Sequence, residues 1–257
     1  MRRAWRAARA AVHALAGVAT TTLVFPLVRP PVRRALLRRW SRKLLSLLAV
    51  EAKVRGRIDA HRGNVLIVAN HVSWLDIFVI NAHHPARFVA KAELAAWPLA
   101  GRLIRDTGTI FVERGRRQDT RRVNHHAVQA LIAGDVVAVF PEGTTTYGED
   151  VLRFHASLLQ PVVETKGHVQ PVALRYTDAH GRHSRAPSYV GEESFAASFW
   201  RICGERSIVV EVVAPPPLPA QHHDRRALTR SAEAAIRAAL GLPARATPSG
   251  TPADPAA

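Results

Sequence analysis

"NVLIVANHVSWLDIFVINA", residues 64–82, decides how the chain folds. Its apolar run at 65–70 has no polar alternation, the pattern of a short strand buried on both faces. The stretch "SWLDIFVINAHH", residues 73–84, reads as a helix capped by Ser73. Ser73 followed three positions later by Asp76 fits a capping box, in which the carboxylate folds back toward the helix entrance. Between strand and helix stands His71. Asp76 then has two readings, a helix starter or the partner of His71 in proton transfer. The two are compatible, because folding back at the cap is what brings the carboxylate toward the imidazole. A carboxylate on one imidazole nitrogen fixes the tautomer and supports the imidazolium formed when the ring takes up a proton. Asn70, at the strand end, reads as a structural hydrogen-bonding residue.

The same grammar continues outward. Short apolar runs at 86–91, 108–114, 135–143 (stopped at Pro141), 169–176 and 207–219 read as strands. Helix-length segments at 117–134, ending at Gly134, and at 224–240, carrying Leu228, Ala234, Ile236 and Leu240, separate or follow them. The expected class is α/β, a mainly parallel (mixed) sheet flanked by helices, with ligands taken at the carboxyl ends of the strands. No internal repeat is visible. Residues 51–240 form the expected main domain, and the Pro- and Ala-rich residues 241–257 an expected disordered tail.

The 257 residues carry a net charge of +16, which favours an anionic partner without naming it. One cysteine, Cys203, excludes an intrachain disulfide and a cysteine-based zinc cluster. His-His pairs at 83–84, 125–126 and 222–223 lack the i, i+4 spacing of a helical metal site, so no metal is expected. Residues 10–28 hold no charged side chain and approach the length of about 20 that spans a bilayer. Beyond them, residues 33–50 mix Leu36, Leu37, Leu44, Leu45, Leu47 and Leu48 with six basic side chains. That pattern suits a basic amphipathic helix lying on anionic lipid; the plainer alternative is a core helix with a solvated basic side. Residues 1–50 are thus expected to be a membrane-associated helical pair that either crosses or lies on the bilayer.

Three further stretches carry chemistry. "GTIFVER", residues 108–114, ends a strand on Arg114, a side chain suited to two-pronged phosphate binding. "FPEGTTT", residues 140–146, offers a strand stop at Pro141, a close backbone approach at Gly143, an acceptor in Glu142 and hydroxyls from Thr144 onward. "VQPVALRY", residues 169–176, says least; Pro171 shapes a strand entrance.

Together these four stretches resemble the blocks of the glycerolipid acyltransferases that acylate lysophosphatidic acid, the PlsC-like family. "HVSWLD", "GTIFVER", "FPEGTT" and "VQPVA" follow in that family's order, and the resemblance covers roughly residues 50–214. It implies the glycerolipid acyltransferase fold and transfer of an acyl group from acyl-CoA or acyl-carrier protein to the hydroxyl of a lysophospholipid acceptor. It implies no cofactor beyond the acyl donor. By the resemblance His71 is the catalytic base and Asp76 its partner. Arg114, Glu142, Gly143, Thr144 and Lys91 (in "AKAEL") belong to the acceptor site. The lone cysteine fits a reducing, cytoplasm-facing location, and with the N-terminal segments the expectation is a bacterial membrane-associated protein at the cytoplasmic face of the inner membrane. One departure stands out. The third block usually continues Arg-Ser, and here Thr145 and Thr146 follow. "FPEGTTTYGEDVLRFHASL" is similar to relatives that acylate lyso-ornithine lipid, an acceptor without phosphate. Two other classes also fit the charge, a non-catalytic lipid-binding protein and a nucleic-acid binder. No nucleic-acid partner is expected, since the basic residues cluster beside apolar segments and no recognition motif is present.

Overall fold

Strands buried on both faces need helices on both sides, and the chain supplies them in two layers. The computed structural model describes residues 1–58, 64–96, 100–112, 117–221 and 224–245. Its strands are β1 (Val50–Gly56), β2 (Val65–Ala69), β3 (Arg87–Lys91), β4 (Ile110–Val112), β5 (Val137–Val139), β6 (His168–Thr177), β7 (Ile208–Ala214) and β8 (Leu218–Pro219). The helices are α1 (Arg2–Ala19), α2 (Pro30–Leu47), α3 (Leu75–His83), α4 (Ala100–Asp106), α5 (Arg117–Ile132), α6 (Gln160–Glu164), α7 (Phe195–Gly204) and α8 (Arg225–Ala239).

The sheet runs β1-β7-β6-β2-β5-β3-β4, with β8 also paired to β6. It is mixed, as expected. Strands β6, β2, β5, β3 and β4 are parallel, whereas β7 and β8 run antiparallel to β6. Alternation along β2 divides the core. Val65, Ile67 and Ala69 face α2, α3 and α7, while Leu66 and Val68 face α5, α6 and α8. Because β2, β5, β3 and β4 are parallel, the ends that carry His71, Glu142 and Lys91 lie on one edge of the sheet.

Strand β1 has no apolar run to announce it. Its charged Glu51, Lys53 and Arg55 are exposed on the sheet's edge, where β1 pairs in parallel with β7. The strand expected over 207–219 divides into β7 and β8, since Pro215, Pro216 and Pro217 interrupt the ladder. Helix α7 also escaped the sequence reading, although Ser194 caps it by accepting the Ala197 N–H at 3.2 Å.

The N-terminal pair is fastened to the rest. The Trp40 indole N–H donates to the His13 carbonyl at 3.0 Å, and the two rings stack 4.9 Å apart. Gly17 lies beneath the indole; a Cβ there would meet Trp40 Nε1 at 2.6 Å. Arg2 and Arg6 donate to the carbonyls of Gly204 and Glu205 at the end of α7, where helix carbonyls lack internal partners. Leu44, Leu45 and Leu48 are buried against the α3 side of the core. This corrects two expectations. The second half of α2 is a core helix with a basic outer side rather than a surface-lying one, and residue 50 is no boundary within the core. The outer side of residues 2–27 keeps Trp5, Val12, Leu15, Leu23 and Leu27 exposed. An 18-residue window within that stretch has a mean hydropathy of 1.6, so the helix is long and apolar enough to cross a membrane.

The tail begins later than residue 241. Leu242 packs on the core, and Arg245 Nε donates to Glu233 at 2.6 Å. Residues 246–257 lie outside the described residues.

Candidate active site

The end of β2 and the start of α3 build the centre. Asp76 folds back as a capping carboxylate, and its Oδ2 accepts the backbone N–H groups of Val72 at 2.8 Å and Ser73 at 3.0 Å. The same oxygen lies 2.8 Å from His71 Nδ1. Helix α3 starts at Leu75 rather than Ser73, and the Ser73 hydroxyl accepts the Leu75 N–H at 3.2 Å. The cap and the dyad are therefore one construction. Asp76 is fully buried, whereas the His71 side chain is 20% exposed, so the ring faces the outside and its partner does not.

The backbone of His71 is held from both sides. Its N–H donates to Glu142 Oε1 at 2.6 Å, and its carbonyl accepts the Thr146 N–H at 2.9 Å. The Phe140 ring, at the end of β5, stacks on the imidazole with centroids 3.9 Å apart and planes 9° from parallel. On the other flank Asn70 makes a two-pronged bond to Leu174 of β6, donating to its carbonyl at 2.9 Å and accepting its N–H at 2.8 Å. Two residues further along β6, the Tyr176 hydroxyl donates to Asp76 Oδ1 at 2.6 Å. Both carboxylate oxygens of Asp76 are thereby satisfied, as a buried charge requires.

Glu142 differs from its expected place at the acceptor. It is buried, and its two oxygens accept backbone N–H groups, Oε1 from His71 and Oε2 from Leu152 at 2.7 Å. A carboxylate so occupied organises the loop rather than reaching a substrate. Burial pushes its pKa up to about 7, helped by the negative charges of Asp76 and Asp150 and opposed by the two N–H donors.

The remaining residues of the expected acceptor site sit more openly. Gly143 turns the chain at φ +72°, a conformation that L side chains rarely adopt, and the His155 ring would lie 3.3 Å from a Cβ there. Thr144 is exposed on that turn. Lys91 is exposed at the carboxyl end of β3, on the same sheet edge as His71. Arg114 lies outside the described residues; β4, which leads toward it, ends at Val112. Thr145 turns inward and donates its hydroxyl to the Tyr189 carbonyl, while the Tyr189 N–H donates to the Val72 carbonyl at 3.0 Å. The residue standing in place of arginine thus ties two loops together beside the histidine.

Sequence reasoning missed Tyr176 and Phe140. Tyr176 left one signal, a phenol in the alternation Val172, Leu174, Tyr176 of an otherwise aliphatic strand face. Phe140 left none, because an aromatic residue at a strand end reads first as core. His83–His84 and His125–His126 stand apart from the site, and residues 222–223 lie outside the described residues; among the described residues no group of three metal-ligating side chains converges.

Comparison with known proteins gives the same picture. A family model described as Acyltransferase matches residues 51–175. A lyso-ornithine lipid O-acyltransferase of Pseudomonas aeruginosa is 40% identical over 82% of this chain and 80% of its own. A 1-acyl-sn-glycerol-3-phosphate acyltransferase of Neisseria meningitidis is 36% identical over 77% of this chain and 78% of its own. Among solved structures, the 1-acyl-sn-glycerophosphate acyltransferase PlsC of Thermotoga maritima superposes with a TM-score of 0.62 over 92% of this chain and 96% of that one. At 21% identity it bears on the fold alone. Long matches at such identity, together with a histidine and a carboxylate joined at the carboxyl edge of the sheet, lead to one conclusion: the chain belongs to the acyltransferase family.

Proposed function

We propose that the chain transfers a fatty acyl group from acyl-CoA or acyl-carrier protein to the free hydroxyl of 1-acyl-sn-glycerol-3-phosphate, giving phosphatidic acid. The observation that carries the reading is the 2.8 Å contact between His71 Nδ1 and the buried Asp76, with the ring edge left toward the outside. An alcohol is a weak nucleophile until its proton is removed, and a positioned base contributes about 10²–10⁴-fold. His71 Nε2 takes the hydroxyl proton as the oxygen attacks the thioester carbonyl. The tetrahedral intermediate collapses with loss of the thiolate, which receives the proton from the imidazolium. Asp76 stabilises the imidazolium while it lasts. No residue of the chain is acylated on the way. Lys91 and Arg114 are the proposed phosphate partners, and Gly143 and Thr144 are proposed to complete the acceptor site; Glu142 contributes by holding the turn. Relatives named for this reaction in two Neisseria species support the acceptor.

A second acceptor has its own observation. Thr145 stands where an arginine is usual and spends its hydroxyl on Tyr189, which removes one phosphate contact and favours lyso-ornithine lipid. The decisive experiment offers lysophosphatidate and lyso-ornithine lipid side by side, with one thioester donor, to the protein in membranes. Preference for lysophosphatidate upholds the first reading, preference for the ornithine lipid replaces it, and transfer to neither ends both. We propose anionic lipid at the cytoplasmic face of the bacterial inner membrane as the place of work; the exposed apolar side chains of residues 2–27 and the neighbouring arginines support membrane association. Replacing Leu15, Leu23 and Leu27 together with Ser is expected to lower binding to anionic vesicles by about tenfold or more without loosening the core. Unchanged co-sedimentation with the vesicles counts against that surface.

A further inference from the structure

Tyr176 belongs to none of the roles assigned so far. It is the penultimate residue of β6, 1% exposed, and its side chain lies on the α3 side of the sheet with Val172 and Leu174. Strand β2 pairs with β6 only as far as Ala69 opposite Val172, so β6 overhangs the end of β2. Asn70 grips that overhang at Leu174, and Tyr176 then falls over the first turn of α3. Its hydroxyl is 2.6 Å from Asp76 Oδ1, the one carboxylate oxygen that the helix cap leaves unused.

We infer that Tyr176 is a positioning residue of the reaction: its hydroxyl locks the torsion of the Asp76 carboxylate, so that Oδ2 stays aimed at His71 Nδ1 throughout proton transfer. The inference rests on the base role proposed for His71. Without the phenol, Oδ1 would be a buried anionic oxygen with no donor, and the carboxylate would turn to find one. Burial foremost, and then the charge of Asp76, raise the Tyr176 pKa well above its usual value, so the hydroxyl remains a donor wherever the enzyme works. The bond also tunes strength. A carboxylate that already accepts a phenol proton is a weaker partner for the imidazolium, which keeps His71 able to release its proton to the departing thiolate. Among the described residues, the ionisable groups bonded to His71 are Asp76 from α3 and Glu142 from the turn after β5; Tyr176 acts on it through Asp76.

The test is Tyr176→Phe in the full chain, read in two ways. Histidine NMR on the resting protein, with His71→Gln to assign the resonance, is expected to show the His71 titration moved upward by about one pH unit, since Asp76 loses a hydrogen bond to its charged form. Acyl transfer is expected to show kcat lowered by about 10–100-fold, with KM for acceptor and donor within about twofold. A His71 titration that does not move, or a loss confined to KM, overturns the inference. Should Tyr176→Phe fail to fold, 3-fluorotyrosine at position 176 preserves the ring and strengthens the donor, and the titration should then move downward; no movement overturns the inference equally. The NMR arm needs no turnover. Absence of acyl transfer by the unaltered protein would therefore end the proposed function while the Tyr176–Asp76–His71 linkage is still decided.

Discussion

His71 stands between two unlike regions. Behind it, Asp76, Tyr176, Glu142 and Asn70 are buried, and their polar atoms are matched within the protein. On the same sheet edge, Lys91 and Thr144 are exposed to solvent. The difference teaches where the sequence has latitude. Under the proposed mechanism a change behind the ring would disturb the direction of a proton, whereas a change among the exposed residues would disturb which molecule is accepted. Chemistry and selectivity would then fall to different sides of one side chain.

The sharpest way to break that division is to remove the base. His71→Ala is expected to lower acyl transfer by about 10²–10⁴-fold while melting temperature and vesicle binding stay as they were. Asp76→Asn should lose a similar factor, because the amide Nδ2, itself a donor, must face at least one of the four donors. Turnover near that of the unaltered protein in either variant would refute the dyad. Glu142→Gln comes next, at about 10–100-fold. Both Glu142 oxygens accept N–H groups, so an amide must set a donor against a donor. The loss should fall in kcat; a loss confined to the acceptor KM would move Glu142 to the front region.

Glu142 also predicts a pH dependence of stability. Its folded pKa of about 7 lies above the usual 4.5, so the folded chain holds this proton to higher pH than the unfolded one. The group's stabilising contribution is therefore fully present below about 4.5 and is lost as pH rises through about 7, on the order of 3 kcal/mol in all. Melting curves across that window should fall more steeply for the unaltered protein than for Glu142→Gln. Parallel curves would mean that the carboxylate titrates normally. The smallest expected effect sharpens the front region. Thr145→Arg should raise the preference for lysophosphatidate over lyso-ornithine lipid by about tenfold, through KM. An unchanged ratio would show that position 145 does not read the head group.

How much of this was legible in the sequence follows the same division. The β2–α3 unit could be read outright, because an unbroken apolar run and a capping pair are local signals. His71 and Asp76 were legible for the same reason, being five residues apart on one short turn. Glu142 was found, but its bonds were not, since nothing in "FPEGTTT" tells that His71 and Leu152 would bring their N–H groups to it. Tyr176, separated from Asp76 by about a hundred residues, depends on the pairing of β2 with β6, which sequence does not specify. Strand β1 and the core half of α2 were hidden by their charges. Arginines and lysines dominate a reading by composition, while the buried Leu44, Leu45 and Leu48 decide where the helix lies.

The two-pronged bond of Asn70 to Leu174 has a consequence for folding. Strand β6 is the joint between the parallel and antiparallel parts of the sheet, so a slip there would propagate both ways. A slip of one residue would turn every β6 side chain to the opposite face. Leu174 would leave its core, and Tyr176 would turn away from Asp76 in the same motion. Asn70 has both amide groups matched only in the native alignment. A misaligned chain would forfeit its packing and its chemistry together, and a single asparagine acts as the proofreader of both.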